Sequence, residues 1–307
     1  MKALKVIRSG PLASIQDQGR FHVRHLGVTQ GGGADWVAMA WANWLLGNPS
    51  SAAVLEITFG GLQLQAQQSV TLALCGADLD AHLDQQALAP GQVFSMQRGQ
   101  CLSFNQPRQG LRAYLAAPAG FCAPLVMGSC ATVSREQLGG LAGDGQILSQ
   151  DQLLMWSGEQ PAQRRQLPDA AQATYVSEPQ LDLILGAQVN QFSGLSLFQA
   201  FNQTWHVDNR ADRMGVRLTG PKLHCNISNL VSEGIPLGAI QVPPDGQPIV
   251  LLNDRQTIGG YPRLGALTPY AVAQLAQLMP GSPLRLRPIC LERAQQQQRR
   301  LLNQWAQ

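Results

Sequence analysis

The brevity of its apolar runs constrains this chain most. Ala3–Ile7, Val54–Phe59, Leu62–Ala66, Val70–Leu74, Cys101–Phe104, Arg112–Ala116, Val216–Leu218, Ala239–Val242 and Ile249–Leu252 are all short, and each is apolar or alternating. Glycine and proline turns separate them, at Gly60-Gly61, Ala89-Pro-Gly91, Gln106-Pro107, Gly220-Pro221 and Pro243-Pro-Asp-Gly246. Many brief strands closed by such turns predict a mainly β protein of barrels or sandwiches. No run approaches the roughly 20 apolar residues of a membrane-spanning helix.

Three helices interrupt the strands. Asp35 is a good N-cap, and Trp36–Leu46 is apolar nearly all round, which predicts a buried helix closed by Gly47 and stopped by Pro49. Thr268 and Pro269 open a second helix, to about Met279, with Val272, Leu275, Leu278 and Met279 as its apolar stripe. Leu291–Trp305 reads as a third, with Gln295–Gln298 and Arg299-Arg300 on a wet face. Gln160–Ala173 has linker composition, so two domains are expected, 1–165 and 166–307. Leu55-Glu-Ile-Thr-Phe-Gly-Gly-Leu-Gln-Leu64 and Gly215-Val-Arg-Leu-Thr-Gly-Pro-Lys-Leu223 echo one another. Either the two halves are related barrels or the likeness is chance.

Charged residues make up 13% of the 307, against an average of about 25%, and glutamine takes their place. Either the composition has drifted, or partner subunits cover much of the surface, since interface cores are depleted in charge. A net charge of +3 without a basic stripe gives no support for nucleic-acid binding. The six cysteines are scattered without a Cys-x-x-Cys pair, and no apolar leader core follows Met1. A cytoplasmic chain with reduced thiols is expected, each acting as a small buried hydrophobe. His22 and His25 lie three apart, but no carboxylate or thiol completes a ligand set, so no metal is expected.

Three polar clusters combine acid, amide and arginine beside glycine. The first is Ser14-Ile-Gln-Asp-Gln-Gly-Arg20, followed by Gly31-Gly-Gly-Ala-Asp35. The second is Asn209-Arg-Ala-Asp-Arg-Met-Gly215. The third follows the Ile249–Leu252 run: Asn253-Asp-Arg-Gln-Thr-Ile-Gly-Gly-Tyr-Pro-Arg263. There Gly259 and Gly260 allow either unusual backbone angles or close approach of a chain or ligand. Arg210, Arg213 and Arg255 have the paired N–H groups that grip a carboxylate or phosphate. Asp17, Asp35, Asp212 and Asp254 are candidate general bases or orienters of those arginines. Each cluster taken alone is equally a solvated turn with a surface ion pair. The chain lacks the Gly-x-x-x-x-Gly-Lys-Ser/Thr phosphate loop and the Gly-x-Ser-x-Gly nucleophile elbow.

Taken in order, these phrases resemble the allophanate hydrolase subunit 2 family, also described as biotin-dependent carboxyltransferase-like proteins. Ala42-Asn-Trp-Leu-Leu-Gly-Asn48, Arg112-Ala-Tyr-Leu-Ala116, Met127-Gly-Ser-Cys130, Asp212-Arg-Met-Gly-Val-Arg-Leu218 and Gly238-Ala-Ile-Gln-Val-Pro243 carry the same likeness. Within the family the phrases resemble the C subunits of ATP-hydrolysing 5-oxoprolinases. The resemblance implies two cyclophilin-like β-barrels with a few short helices. It also implies a role beside 5-oxoprolinase subunits A and B, with B the closest partner, in opening 5-oxo-L-proline to L-glutamate. ATP would be the co-substrate of the complex, held either by this chain or with a partner subunit, and no biotin would be attached to this chain.

By similarity the catalytic candidates are Asp254, Arg213, Gln241 and Tyr261, and the substrate-binding candidates are Gln16, Asp17, Asp35, Arg255, Gln256 and Thr257. Arg213 is expected as anion clamp, Asp254 as base or orienter, and Gln241 and Thr257 as hydrogen-bond contacts. Two other roles fit the family: a carboxyltransferase-like subunit for a urea-type or other amide, or a regulatory module that masks a kinase inhibitor. The chain departs from the family pattern at Ala131, at Gly186-Ala187, at Ile258 and along Gly145-Gln-Ile-Leu-Ser-Gln-Asp-Gln152, where an arginine is lost.

Overall fold

The computed structural model describes residues 2–159, 165–168, 171, 175–227 and 230–305, so most of the predicted linker lies outside the described residues. The protein is mainly β. It resolves into two units, one of Met1–His22 and Gly31–Thr174, the other of Val23–Gln30 and Tyr175–Gln307. Each unit has its own apolar core.

The first unit holds β1 (Ala3–Arg8), β2 (Leu12–Gln16), β3 (Val54–Thr58), β4 (Gln63–Ala66), β5 (Val70–Asp78), β6 (Ala81–Leu83), β7 (Gln86–Leu88), β8 (Gln92–Met96), β9 (Cys101–Phe104), β10 (Gln109–Ala116) and β11 (Leu153–Met155). These form two sheets, ordered β11-β1-β4-β9-β6-β7 and β2-β3-β10-β5-β8. Alternation shows on the half-buried strands. In β4 and β9, Leu64, Ala66, Leu102 and Phe104 turn inward, while Gln63, Gln65, Cys101 and Ser103 are partly exposed. The inward set joins Leu4, Ile15, Leu55, Ile57, Leu72 and Leu115 in one core.

Helix α1 (Trp36–Leu45) lies against β5 and β10 and is buried on nearly every side, as a helix apolar but for Asn43 requires. The Asp35 carboxylate accepts from the N–H groups of Val37 at 3.1 Å and Ala38 at 3.0 Å, donors that the first turn would otherwise leave unpaired. At the other end Gly47 takes φ +69° and its N–H returns to Trp44 O at 3.0 Å, which closes the helix.

The second unit is a closed barrel of seven strands. They are β12 (Gln180–Leu185), β13 (Trp205–Val207), β14 (Gly215–Thr219), β16 (Ala239–Gln241), β17 (Ile249–Leu251), β19 (Arg263–Leu267) and β20 (Pro283–Pro288), with a separate two-stranded ribbon of β15 (Glu233–Gly234) and β18 (Ile258–Gly259). The barrel order is β12-β19-β16-β17-β14-β13-β20, with β20 returning parallel to β12. Leu181, Leu183, Trp205, Leu218, Ile240, Val250, Leu264 and Leu286 fill it.

Helix α3 (Pro269–Leu275) begins on the expected Thr268 cap, whose Oγ1 accepts from Ala271 N at 3.2 Å. It stops short of Met279 because Gln277 and Leu278 donate to residues three back, which tightens the chain out of α geometry. Helix α4 (Leu291–Asn303) buries only Ala294, in keeping with its glutamine-rich face. Helix α2 (Gly194–Asn202) adds to the three expected from the sequence: Leu197, Ala200 and Phe201 pack on the barrel core, but Leu195 and Phe198 point to solvent and blur the stripe that would announce it.

All six cysteines are free thiols. Cys75 and Cys130 are buried as expected, but Cys101 and Cys225 are only partly buried and Cys122 and Cys290 are exposed, so the expectation of buried thiols fails at these four. Among the described residues no helix is long and apolar enough to cross a membrane, and no three His, Cys, Asp or Glu side chains group as metal ligands.

Candidate functional site

The polar phrase after β17 is not a solvated turn. Asn253 and Asp254 are each 7% exposed and Arg255 3%. The reason is that antiparallel pairing continues past β14 and β17: Leu252 N donates to Met214 O and Asp254 N to Arg213 O, both at 2.9 Å. This brings Arg213 against Asp254, where Nε reaches Oδ2 at 3.0 Å and Nη2 reaches Oδ1 at 3.1 Å. The fork geometry fixes both side chains. It leaves both Asp254 oxygens engaged by the one guanidinium.

Arg255 is held by neutral acceptors. Its Nε donates to Ile235 O at 3.1 Å, Nη1 to Leu252 O at 3.1 Å, and Nη2 lies 3.4 Å from Gln30 Oε1. Arg24, from the segment that groups with this unit, sends Nη2 to Ile235 O at 2.8 Å, Thr257 O at 3.2 Å and Gln256 O at 3.3 Å. Two guanidinium groups therefore meet on one carbonyl. Burial, and then the neighbouring Arg24 cation, push Arg255 down to about 9 against the opposing pull of Asp254, and it remains cationic near neutrality.

The two arginines anchor a loop that carries three more predicted residues. Gln256 and Thr257 are half-buried, and Thr257 O also accepts from Ile235 N at 3.0 Å. The chain then enters the β15–β18 ribbon, with Glu233 opposite Gly259 and Gly234 opposite Ile258. Tyr261 follows and is exposed. Gln241 stands at the end of β16, where the register against β19 slips between Ile240 and Gln241. Such a bulge re-aims a side chain. Ile240 faces the barrel core, while Ala239 packs with Ile235 and Leu251 outside it. Gln241 is 2% exposed, and its Nε2 has no hydrogen-bond partner among the described residues.

The first unit treats its predicted residues differently. Gln16 Nε2 donates to Ser14 Oγ at 3.0 Å and to Thr132 O at 3.1 Å. Asp17 Oδ1 accepts from Gly19 N at 2.8 Å and Ser129 Oγ at 2.5 Å, and Oδ2 from Cys130 N at 2.9 Å and Cys130 Sγ at 3.3 Å. Burial, and then the Asp17 charge, push the Cys130 thiol up, so it stays protonated. Asp35 caps α1, and its N–H donates to Tyr114 Oη at 2.7 Å, which in turn donates to Glu56 Oε2 at 2.8 Å. Of the remaining arginines, Arg210 closes on Asp208 at the surface, as an ordinary exposed pair.

In the second unit the structure thus gathers Arg213, Asp254, Arg255, Gln256 and Thr257, with Gln241 reached through Ile235. In the first it gathers Gln16 and Asp17, with Asp35 at the start of α1. Sequence reasoning missed Arg24 and Gln30. Both lie between polar phrases, in a stretch whose partners are more than 200 residues away, and nothing in its spacing marks them.

Residues 26–288 match the model of the carboxyltransferase domain, subdomain A and B. The chain is 35% identical to the C subunit of 5-oxoprolinase from Escherichia coli (strain K12), over 99% of this chain and 97% of that one. It is 32% identical to the C subunit of 5-oxoprolinase from Haemophilus influenzae, over 92% and 90%. The solved Kluyveromyces lactis urea carboxylase superposes with a TM-score of 0.92 at 26% identity, over 99% of this chain and 29% of that one. With a family match across most of its length and a full-length relative at this identity, the chain belongs to the carboxyltransferase domain, subdomain A and B, family.

Proposed function

We propose that the chain is the C subunit of a cytoplasmic, ATP-dependent 5-oxoprolinase, acting with subunits A and B to hydrolyse 5-oxo-L-proline to L-glutamate. The observation that carries this reading is the end-to-end correspondence with the Escherichia coli C subunit, in which neither chain has a large unmatched part. The chemistry suits the residues. A lactam is a stable amide, and ATP, as co-substrate of the assembly, activates its carbonyl oxygen before water attacks. Such a reaction needs fixed donors for a carboxylate and for developing negative charge. Arg213 with Asp254 as its orienter, Arg255, Gln256, Thr257, Gln241 and Tyr261 are the candidates for these roles. Gln16, Asp17 and Asp35 are the substrate-binding candidates of the first unit.

The test mixes this chain with candidate A and B subunits and measures ADP release dependent on 5-oxoproline. Release that requires this chain supports the reading, and its absence with co-purifying subunits refutes it. The likeness to urea carboxylase favours a second reading, a carboxyltransferase-like subunit for a urea-type amide. Turnover that depends on a separate biotin-carrier protein would select it.

A further inference from the structure

We propose that the apolar loop at residues 123–128 of the first unit is a docking surface for an apolar groove on a second, different polypeptide, the B subunit of the assembly proposed above. The identity of the partner rests on that reading; the surface itself rests on geometry.

Residues 123–128, Ala-Pro-Leu-Val-Met-Gly, carry no polar side chain, yet they lie outside the strands and helices. Surface loops are normally polar, and an unbroken apolar run in one calls for a function. Pro124 and Val126 lie over Gly143, where a Cβ would come within 3.2 Å of Pro124 Cγ and 3.6 Å of Val126 Cγ2. Their neighbours Leu125 and Met127 are 71% and 44% exposed.

The tip of the loop is fixed. Val126 N donates to Ser129 O at 2.9 Å and closes a two-residue turn, with φ of +53° at Met127 and +84° at Gly128. A turn with positive φ at both central residues favours Asn, Asp or Gly at the first, so a methionine there is strained. The base of the turn is fastened inside the unit. Arg20, 1% exposed, donates from Nε to Val126 O at 3.0 Å. The Ser129 hydroxyl donates to Asp17 Oδ1 at 2.5 Å and accepts from Ala131 N at 3.0 Å. An apolar side chain on a fixed turn loses little freedom when a partner closes over it.

A different polypeptide fits this surface best. The solved TTHA0988 superposes with a TM-score of 0.84 at 32% identity over 94% of this chain, but over 55% of its own. Nearly half of that polypeptide is thus additional to the counterpart of this chain, and here such a part would be supplied by a separate subunit. A second copy suits the tip poorly, because the groove beside β13, lined in part by His206, Asp208, Asn209 and Thr219, is polar. A lipid surface suits it poorly too, since residues 113–134 contain no Lys or Arg to meet anionic headgroups.

The test measures binding of the full chain to the candidate B subunit by titration calorimetry. Leu125→Asp and Met127→Asn should each raise Kd at least about tenfold. Leu125→Asp should leave the thermal midpoint of the free chain nearly unchanged, because the side chain it replaces is mostly in solvent. Met127→Asn should hold or raise that midpoint, because Asn tolerates positive φ. A merely structural role for Met127 would not weaken binding while the free chain gains stability.

Unchanged affinity in Leu125→Asp overturns the proposal, and so does a wild-type chain that does not bind the B subunit. A dimer of the chain alone that is lost in Leu125→Asp assigns the loop to a second copy, and co-sedimentation with phosphatidylglycerol vesicles assigns it to a membrane; either overturns it. If the B subunit binds through the loop but the assembly with A releases no ADP on 5-oxoproline, the function proposed above fails and the docking surface stands.

Discussion

Asp17 and Asp254 stand in phrases of the same composition and are equally buried, but their surroundings are opposite. Asp17 is met by four neutral donors from Gly19, Ser129 and Cys130, which saturate both oxygens and tie two distant segments into a closed knot. Asp254 is met by a cation, Arg213, and beside it stand Arg255 and Arg24, whose contacts to Ile235, Leu252, Gln256 and Thr257 are all to neutral carbonyls. One acid is spent inside the fold. The other belongs to a cationic cluster. The difference teaches that an acid–amide–arginine–glycine phrase does not fix its role by composition: the same residue types close a fold with neutral donors in one unit and stand in a charged cluster in the other.

The sharpest test of that contrast is Asp17→Ala. It strands four buried or half-buried donors and should cost roughly 3–5 kcal/mol of stability, seen as a large drop in the denaturant midpoint. An unchanged midpoint would erase the distinction. Asp254→Asn should behave the other way round. It should lose about 1–3 kcal/mol, since Arg213 keeps partial solvent contact, yet abolish turnover of the proposed assembly while co-elution with the partner subunits persists. Full retained turnover would remove Asp254 from the site.

Arg24→Ala should cost about 1.5–3 kcal/mol through charged hydrogen bonds to three carbonyls. It should also let Arg255 return toward its ordinary value, because a neighbouring like charge is gone; ¹³C chemical shifts of the Arg255 guanidinium would report it.

The smallest effect is at Asp182, far from either cluster in role. Burial alone would raise its carboxyl, but hydrogen bonds from Arg287 and Gln297 override this and hold it below the usual range. A depressed folded value means stability that is present above the unfolded value of about 4 and lost as pH falls through the folded one. Between wild type and Asp182→Asn the difference in urea midpoint should shrink on acidification. The total should be no more than about 1 kcal/mol, since the pair is partly open to solvent.

Much of this was legible in the residues. The brief apolar runs gave most of the larger strands, because alternation and Gly/Pro turns are local signals. Asp35 and Thr268 marked helix starts for the same reason, since a cap is read within three residues. What was not legible is non-local. Strands as short as Glu233–Gly234 and Ile258–Gly259 exist only because each finds the other across the chain. The burial of Asn253–Arg255 depends on pairing with Arg213 and Met214, which a reader of the polar phrase alone cannot see. Arg24 gave no sign because its partners are carbonyls, and backbone oxygens have no sequence identity.

The octapeptide Val23–Gln30 groups with the C-terminal barrel although the chain reaches that barrel only some 145 residues later. A gene cut between the halves would therefore not yield two interchangeable modules. A fragment beginning at Tyr175 would lack the clasp that gathers its loop at Ile235, Gln256 and Thr257, and swapping barrels between relatives would demand exchange of this small strip as well.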